Sequence, residues 1–460
     1  MIQNMIFRGV MVKTETVKTN LMTDGSIPKK IFWFAVPLIL GNLLQQLYNT
    51  ADSVIVGNFV GSNALAAVGS SGSLINLLIA FCQGASVGAG VVIAQYMGAE
   101  SSKNVHEAVH TAMAIVLILG VVLSAAGIFL SRPLLILMDT PEEVLSDSVT
   151  YLQIYFGGAI FNVVYNMTAA ILNAAGNSKR SLLYLASASV TNIVLDLLLV
   201  KSMGVAGAAI ATDASQLVSC VLSMRFLMRT NEDYRINIRE IGINPRMASR
   251  IIRIGLPTGI QNMVISFSNA VVQSSVNGFG ADAMAGFGAY MKIDGFNILP
   301  VLSISMALTT FTGQNLGAGK FERVKKGIWV TMIMGVVYTV VTGALLLVFA
   351  DPIMRLFTDN TSAVDYGKLA MKYFCPFYFL LSVMHGLAGA VRGAGKSVPP
   401  MIILLTSLCV SRIVWLKAML PLMPEISTVY VAYPITWAIG MVLMILYAWK
   451  GKWQTAQVNL

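Results

Sequence analysis

The chain has 460 residues, of which 56% are hydrophobic and only 11% charged, with a formal net charge of +10 and a mean hydropathy of +0.73. A soluble globular domain carries about a quarter of its residues as charges, so this composition excludes an ordinary soluble protein and points to a chain solvated by lipid. The basic balance alone would suit a nucleic-acid binder, but its placement along the chain argues otherwise.

In chain order, residues 1–27 are polar and mixed, without the apolar core and small-residue cleavage site of a signal peptide. They are expected to be a cytoplasmic tail, with Met11 and Met22 as alternative starts. Twelve apolar helices follow, over 28–57, 63–98, 104–130, 142–172, 178–201, 206–230, 247–276, 282–317, 321–348, 361–391, 397–421 and 427–450. Several exceed the ~20 residues that cross the hydrocarbon, so tilts, kinks or protruding ends are expected. The longest polar run, Thr230 to Glu240, marks a cytoplasmic connection over 231–246 between two lobes, 28–230 and 247–450. Residues 451–460 form a second cytoplasmic tail.

The two lobes repeat one another. Gln95-Tyr-Met-Gly98-Ala99 returns as Gln314-Asn-Leu-Gly317-Ala318, and Ala175-Gly176-Asn-Ser178 returns as Ala394-Gly395-Lys-Ser397. Pro133 matches Pro352, and Ala64, Ala66 and Gly69 match Ala283, Ala285 and Gly288, all at an offset of 219. Pro37, Asn42, Asn49 and Phe59 match Pro257, Asn262, Asn269 and Phe279 at an offset of 220. A two-fold repeat in so apolar a chain is the mark of a membrane transporter whose binding site lies between the halves. Six spans per half bring both halves in from the same side. The expected fold is therefore an all-α membrane protein, twelve transmembrane helices in two parallel six-helix lobes related by a pseudo-two-fold along the membrane normal.

Charge placement orients the chain. One set of connections carries Lys29, Lys30, Lys103, Lys179, Arg180, Lys320, Arg323, Lys325, Lys326, Arg392, Lys396, Lys450 and Lys452, with seven arginines from Arg225 to Arg253 at the central one. The opposite set holds Asp139, Glu142, Glu143, Asp147, Asp282, Asp351, Asp359, Asp365 and Glu425, with Arg132, Lys201, Arg355, Lys368 and Lys372 as the minority cations. Lysine and arginine favour the cytoplasmic side, which puts both termini there in the cell membrane and leaves the basic balance with no need of nucleic acid. Cys82, Cys220, Cys375 and Cys409 sit far apart in apolar stretches, as packing residues. Ala390-Val-Arg-Gly-Ala-Gly395-Lys396-Ser397 resembles a phosphate loop but starts on alanine where glycine is required. It reads as a tight interhelical turn. With no ATPase signature elsewhere, any pumping must draw on an ion gradient.

Ionisable groups inside spans carry the functional signal, because each is expensive in lipid unless paired or wetted. Asp52 stands about 33 Å along span 1 from Lys30, and Asp196 about 24 Å along span 5 from Arg180. Asn192 shares the Asp196 helix face. Asn166 lies about 21 Å from the inner turn, and Thr212 about 12–15 Å from the outer end of span 6. These five reach similar depth in one lobe. Asp52, Asn192, Asp196 and Thr212 could hold a hard monovalent cation such as Na⁺, and the carboxylates could equally share a proton.

Here a family resemblance becomes specific. Pro37, Asn49-Thr-Ala-Asp52-Ser-Val-Ile-Val-Gly57 and Ala64-Leu-Ala-Ala-Val-Gly69 resemble the first-span signature of the multidrug and toxic compound extrusion (MATE) family. Gln95-Tyr-Met-Gly-Ala99, Ala175-Gly-Asn-Ser-Lys-Arg180 and Gly204-Val-Ala-Gly-Ala-Ala-Ile-Ala-Thr212 are similar to its inner turn and its span 5–6 pattern. The resemblance covers about 28–450. It implies two lobes forming a V around a central cavity, and efflux of organic, often cationic, compounds in exchange for Na⁺ or H⁺. It also implies membership of a branch that couples through N-lobe positions matching Asp52, Asn166, Asn192, Asp196 and Thr212. Some relatives carry an acid in span 7, where this chain has Gln261.

The C-lobe holds further candidates. Lys292 and Asp294 lie about 15–18 Å inside span 8 from Asp282, and Arg412 about 24 Å along span 11 from Lys396. They are expected to turn inward as an ion-pair network, or toward an anionic substrate group. His385, the repeat partner of Asn166, reads as a packing histidine or a proton relay. The expected function is secondary active multidrug efflux of amphiphilic, cationic small molecules, with Na⁺ or H⁺ as coupling ion. No covalent cofactor, ATP or nucleic acid is expected; the partners are small-molecule substrates and the bilayer, with the chain a monomer. A flippase for a lipid-linked or amphiphilic substrate is the alternative, favoured by a cationic cavity. A membrane enzyme comes last, since the three histidines form no cluster at membrane depth.

Overall fold

The computed structural model describes residues 21–450 and Trp453; the tails expected over 1–27 and 451–460 otherwise lie outside it up to residue 20 and beyond residue 450. The first half runs α1 (Ile27–Phe59), α2 (Ser62–Gly98), α3 (Ser102–Leu137), α4 (Glu142–Gly157), α5 (Ala159–Ala174), α6 (Ser178–Met203) and α7 (Val205–Arg229). A 3-10 turn, Ile238–Glu240, sits in the connection. The second half runs α8 (Pro245–Asn277), α9 (Ala281–Gly317), α10 (Phe321–Val348), α11 (Ala350–Arg355), α12 (Thr361–Phe374), α13 (Tyr378–Gly393), α14 (Val398–Leu405), α15 (Ser411–Met419) and α16 (Ile426–Lys450).

Among the described residues ten helices are long and apolar enough to cross a membrane, or eleven if α4 and α5, bent by 46°, count as one span. The twelfth is α8. Arg246, Arg250 and Arg253 in its opening turns, and Gln261, Asn262, Asn269 and Gln273 beyond, dilute its apolar character. The fold is thus two lobes of six spans, with span 4 made of α4 and α5, span 10 of α12 and α13, and span 11 of α14 and α15 joined by a π turn at Thr406–Val410.

The repeat survives in the backbone. Left-handed turn positions recur at the sequence offset: Gly61 and Gly280, Glu100 and Gly319, Gly176 and Gly395. The last pair has the same φ of 81°, which glycine adopts without penalty. This is the tight turn expected in place of a phosphate loop. Span 4 breaks at Gly157-Gly158 and span 10 at a 3-10 turn, Cys375–Phe377, so both copies interrupt the same helix at the same level. One difference is local: α3 continues through Pro133 to Leu137, whereas α10 stops at Val348 and the short α11 carries Pro352.

The cores are exchanged at one end. Ile31, Phe34, Ala35 and Leu38 of α1 pack into the apolar core of the second half, and Met247, Ile251 and Ile254 of α8 pack into that of the first. Close approach of α2 and α8 depends on glycine. A Cβ on Gly84 would lie 2.5 Å from the Gly255 carbonyl oxygen, and one on Gly88 would lie 2.4 Å from that of Ile251. Small residues of this kind let membrane helices pack backbone to backbone. At the end of the seam the two copies of the repeated motif meet. A Cβ on Gly98 would stand 1.9 Å from the Gln314 carbonyl oxygen, and one on Gly317 would stand 1.9 Å from that of Gln95. Gln95 Nε2 donates to Gly393 O at 3.0 Å, and Gln314 Nε2 donates to Ala174 O at 2.8 Å. Toward the other ends of α2 and α9, a Cβ on Gly69, Gly72, Gly288 or Gly295 would meet no described atom within 4 Å.

Two polar straps close the motif end. The connection lies along one face of α3: Ser102 Oγ donates to Asp233 (2.8 Å), His106 meets Glu240 (2.6 Å), and the Asn237 and Asn244 amides donate to His110 Nε2 (3.0 Å) and Thr111 Oγ1 (3.1 Å). Asn244 then caps α8, its Oδ1 accepting from the Arg246 and Met247 amides, with Pro245 in the first turn. Met22 is buried. Its amide donates to Gln314 Oε1 at 2.7 Å, and Asp24 pairs with Lys320 at 2.7 Å.

Candidate functional site

The sequence places its candidates on α1, α5, α6 and α7 of the first lobe. Asp52 is 7% exposed, Asn192 and Asp196 are fully buried, and Thr212 is 9% exposed. A single helical turn sets Asn192 and Asp196 on one face of α6. Asn192 Nδ2 donates to Thr212 Oγ1 at 3.5 Å, which ties α6 to α7. Asp52 lies close enough to Asp196 for one charge to act on the other. Tyr48, one turn before Asp52, accepts from Gln216 Nε2 at 3.4 Å, which ties α1 to α7. The Asn166 amide donates to the carbonyl and side-chain oxygen of Asn162 on its own helix, both at 2.9 Å.

What distinguishes this cluster is unanswered oxygen. Asp52 Oδ1, Asn192 Oδ1, both carboxylate oxygens of Asp196 and Gln216 Oε1 are buried without a donor among the described residues. A buried carboxylate left so is strongly unfavourable as a bare anion. A proton or a small hard cation removes that penalty, and this all-oxygen donor set suits either.

Two features were missed in the sequence. Asp213 follows Thr212 on α7, and its carboxylate lies over Gly158 at the bend between α4 and α5. Tyr151 of α4 lies within reach of the charges of Asp52, Asp196 and Asp213 alike. Asp213 satisfied the same criterion that singled out Asp52, an acid inside a span. The Gly157-Gly158 doublet was the signal for the bend that seats it.

In the second lobe one of the two expected arrangements, the ion-pair network, is absent: among the described residues no ion pair joins Lys292, Asp294 and Arg412. Residues two apart on a helix point about 200° from one another, so Lys292 is exposed while Asp294 turns in. Asp294 accepts a hydrogen bond from Tyr378, which shares another with Tyr290. Arg412, 3% exposed just after the π turn, lies 4.1 Å over the Tyr433 ring and donates to Asn269 (3.3 Å) and Thr436 (3.4 Å). Its Nε has no partner. Gln261 is buried on α8. The His385 carbonyl accepts from Ser305 Oγ at 2.6 Å.

Comparison with known proteins now bears directly on this duplicated frame. The sequence profile of the MatE family matches residues 37–198 and again 257–416, once in each half. The chain belongs to the MatE family. Among its relatives, the probable multidrug resistance protein YpnP of Bacillus subtilis is 31% identical over 85% of this chain and 88% of its own length. The probable multidrug resistance protein NorM of Thermotoga maritima is 28% identical over 84% of each. The FAD transporter of Shewanella oneidensis is 25% identical over 87% and 88%. In structure, a MOP superfamily transporter from Pyrococcus furiosus, described by the reversed polarity of its binding pocket, superposes with a TM-score of 0.88 at 24% identity. An outward-facing MATE transporter superposes with 0.88 at 23% identity; both matches cover 94% of this chain and 98% of the other. As a MatE member the chain is a multi-pass membrane transporter of the multidrug efflux type, acting on small molecules and not an enzyme.

Proposed function

We propose that this MatE protein is an antiporter that exchanges Na⁺ or H⁺ for amphiphilic, cationic small molecules by alternating access, coupling through its first lobe. The observation that carries this is that Asp52 and Asp196, buried in one lobe, together leave three carboxylate oxygens without a donor among the described residues. Asn192, Thr212 and Gln216 supply further oxygens beside them. Ion and substrate then weaken each other's binding reciprocally. Both termini and the connection between the lobes are cytoplasmic in this reading, following the lysine and arginine asymmetry. The lobes touch at that end, through Gly98 and Gly317, whereas a Cβ on Gly69, Gly72, Gly288 or Gly295 toward the other end would meet no described atom within 4 Å. That arrangement fits a state open to the outside.

A second reading rests on Arg412, a buried cation whose Nε has no partner and which makes no ion pair among the described residues. It favours an amphiphilic substrate with an anionic group, such as a phosphate ester. The FAD transporter among the relatives carries an anion of that kind.

Proteoliposomes with imposed Na⁺ or H⁺ gradients test both. Under the first reading a cationic dye moves against its gradient when the ion runs the other way, and collapsing that gradient stops it. Preferential movement of an anionic amphiphile supports the second. Transport unchanged without any ion gradient rejects antiport and promotes a flippase.

A further inference from the structure

We propose that His106, His110 and Glu240 form a site for a divalent transition-metal ion such as Zn²⁺, which pins the connection between the lobes to α3. The three side chains offer one nitrogen or oxygen each, all within 4.8 Å of one another. In a Zn²⁺ site with bonds of about 2.0–2.2 Å the donors stand roughly 3–4 Å apart, so small side-chain rotations close the gap. His106 and His110 are one turn apart on α3, with ring centroids 4.0 Å apart. That spacing presents two imidazoles to one ion.

His110 is oriented as a ligand usually is. His110 places Nδ1 2.8 Å from the His106 carbonyl, a contact in which Nδ1–H donates and Nε2 keeps its lone pair. That Nε2 now takes the Asn237 amide at 3.0 Å, a bond the ion would replace. Glu240, from the 3-10 turn, already lies 2.6 Å from His106 Nε2. A cavity of about 710 Å³ opens beside His106 and Glu240. Glu107, Glu232, Asp233 and Glu240 line it against two basic side chains, so a protein of net charge +10 is locally acidic here. Imidazole with carboxylate suits Zn²⁺, Ni²⁺ or Co²⁺ better than the hard cations. The site lies in the connection, away from the buried aspartates, and does not depend on the transport reading.

The chain has only three histidines, and all four cysteines are buried, so tag-free protein gives a clean assay. The full chain in detergent is titrated with Zn²⁺ against a chromogenic chelator, with thermal unfolding read in parallel. Expected are one Zn²⁺ per chain, a rise in melting temperature that EDTA reverses, and at least about tenfold weaker binding in His106→Gln and in Glu240→Gln. Both substitutions fall on half-exposed side chains, so folding should survive and can be checked by the same melt. Absence of saturable binding overturns the proposal. So does binding that both variants leave untouched, or a stability change in the variants that is the same with and without Zn²⁺, which would mark a hydrogen-bonded strap alone.

Discussion

The carboxyl carbon of Asp213 stands 2.1 Å from the point where residue 158 would carry a Cβ, with both oxygens at 2.4 Å. Glycine at 158 therefore makes room for an acid, and the bend in span 4 is shaped around that acid. Gly158→Ala is expected to destabilise the protein by about 1–3 kcal/mol through overpacking. Adding Asp213→Ala should recover most of that loss, a coupling that melting temperatures of the four proteins would show. Simple addition of the two effects would dissociate the pair.

Asp52→Asn and Asp196→Asn should each abolish ion-driven export while the protein remains folded and inserted. The amide keeps the shape and removes a buried charge that has no protein donor, so stability should hold or rise. Export against a gradient and thermal unfolding, measured together, separate lost coupling from lost fold. Full export by both variants would remove the two aspartates from the mechanism.

Gly98→Ala and Gly317→Ala should have equal consequences, because each Cβ would meet the other half's glutamine carbonyl at the same 1.9 Å. Backbone cannot yield as a flexible side chain can, so the lobes must part at this end. Spin labels on the ends of α2 and α9 should report a longer distance in either variant, with slowed transport in both.

Asp294 and Tyr378 should behave as one unit and Asp294 and Arg412 as two. Asp294→Asn combined with Tyr378→Phe should lose less stability than the two singles added, since the first removal already breaks the shared hydrogen bond. Asp294→Asn with Arg412→Gln should be additive to within about 0.5 kcal/mol. Strong coupling of the latter pair would restore the ionic network that the geometry lacks.

The strap at residues 21–24 should loosen in acid. The hydrogen bond and charge of Lys320 hold the Asp24 carboxyl below the usual aspartate range. A lowered pKa contributes stability above the ordinary value and loses it as pH falls through the lowered one. Asp24→Asn should therefore speed hydrogen exchange at the Met22 amide near neutral pH, with the difference fading below the aspartate range. The effect should be small, because the pair is solvent-exposed.

Much of the fold was legible because it is written twice and in hydropathy. The repeat offset located equivalent turns, and apolar length located spans even where α4 and α5 bend. The meeting of Gln95 with Gly317 was not legible: both motifs were visible, but which surfaces face one another is settled only by packing the lobes. In the site, Asp52, Asn192, Asp196 and Thr212 were readable from depth along straight helices. Asp213, beside Thr212, is equally readable by depth. Depth alone did not give the neighbours of Lys292 and Asp294, since rotation about the helix axis decides what each side chain meets. The Asp294–Tyr378 bond spans two distant helices, and no local pattern announces it. His106 and His110 show their spacing in the sequence, whereas Glu240 joins them only once the connection folds back.

The glycine seam has a consequence for ancestry and engineering. At the ends of α2 and α9 the two halves present the same surface to one another, as subunits of a symmetric dimer would. Along the helices they do not. Gly84 and Gly88 face Gly255 and Gly259, but the positions at the repeat offsets are Ser303 and Ala307 opposite Ala35 and Ile39. One flank meets backbone to backbone, and the other meets through side chains, with Asn42 Nδ2 donating to Ser303 Oγ at 2.9 Å. A chain built from two copies of either half would thus retain the self-complementary end but form two matched flanks where the natural protein has an unequal pair.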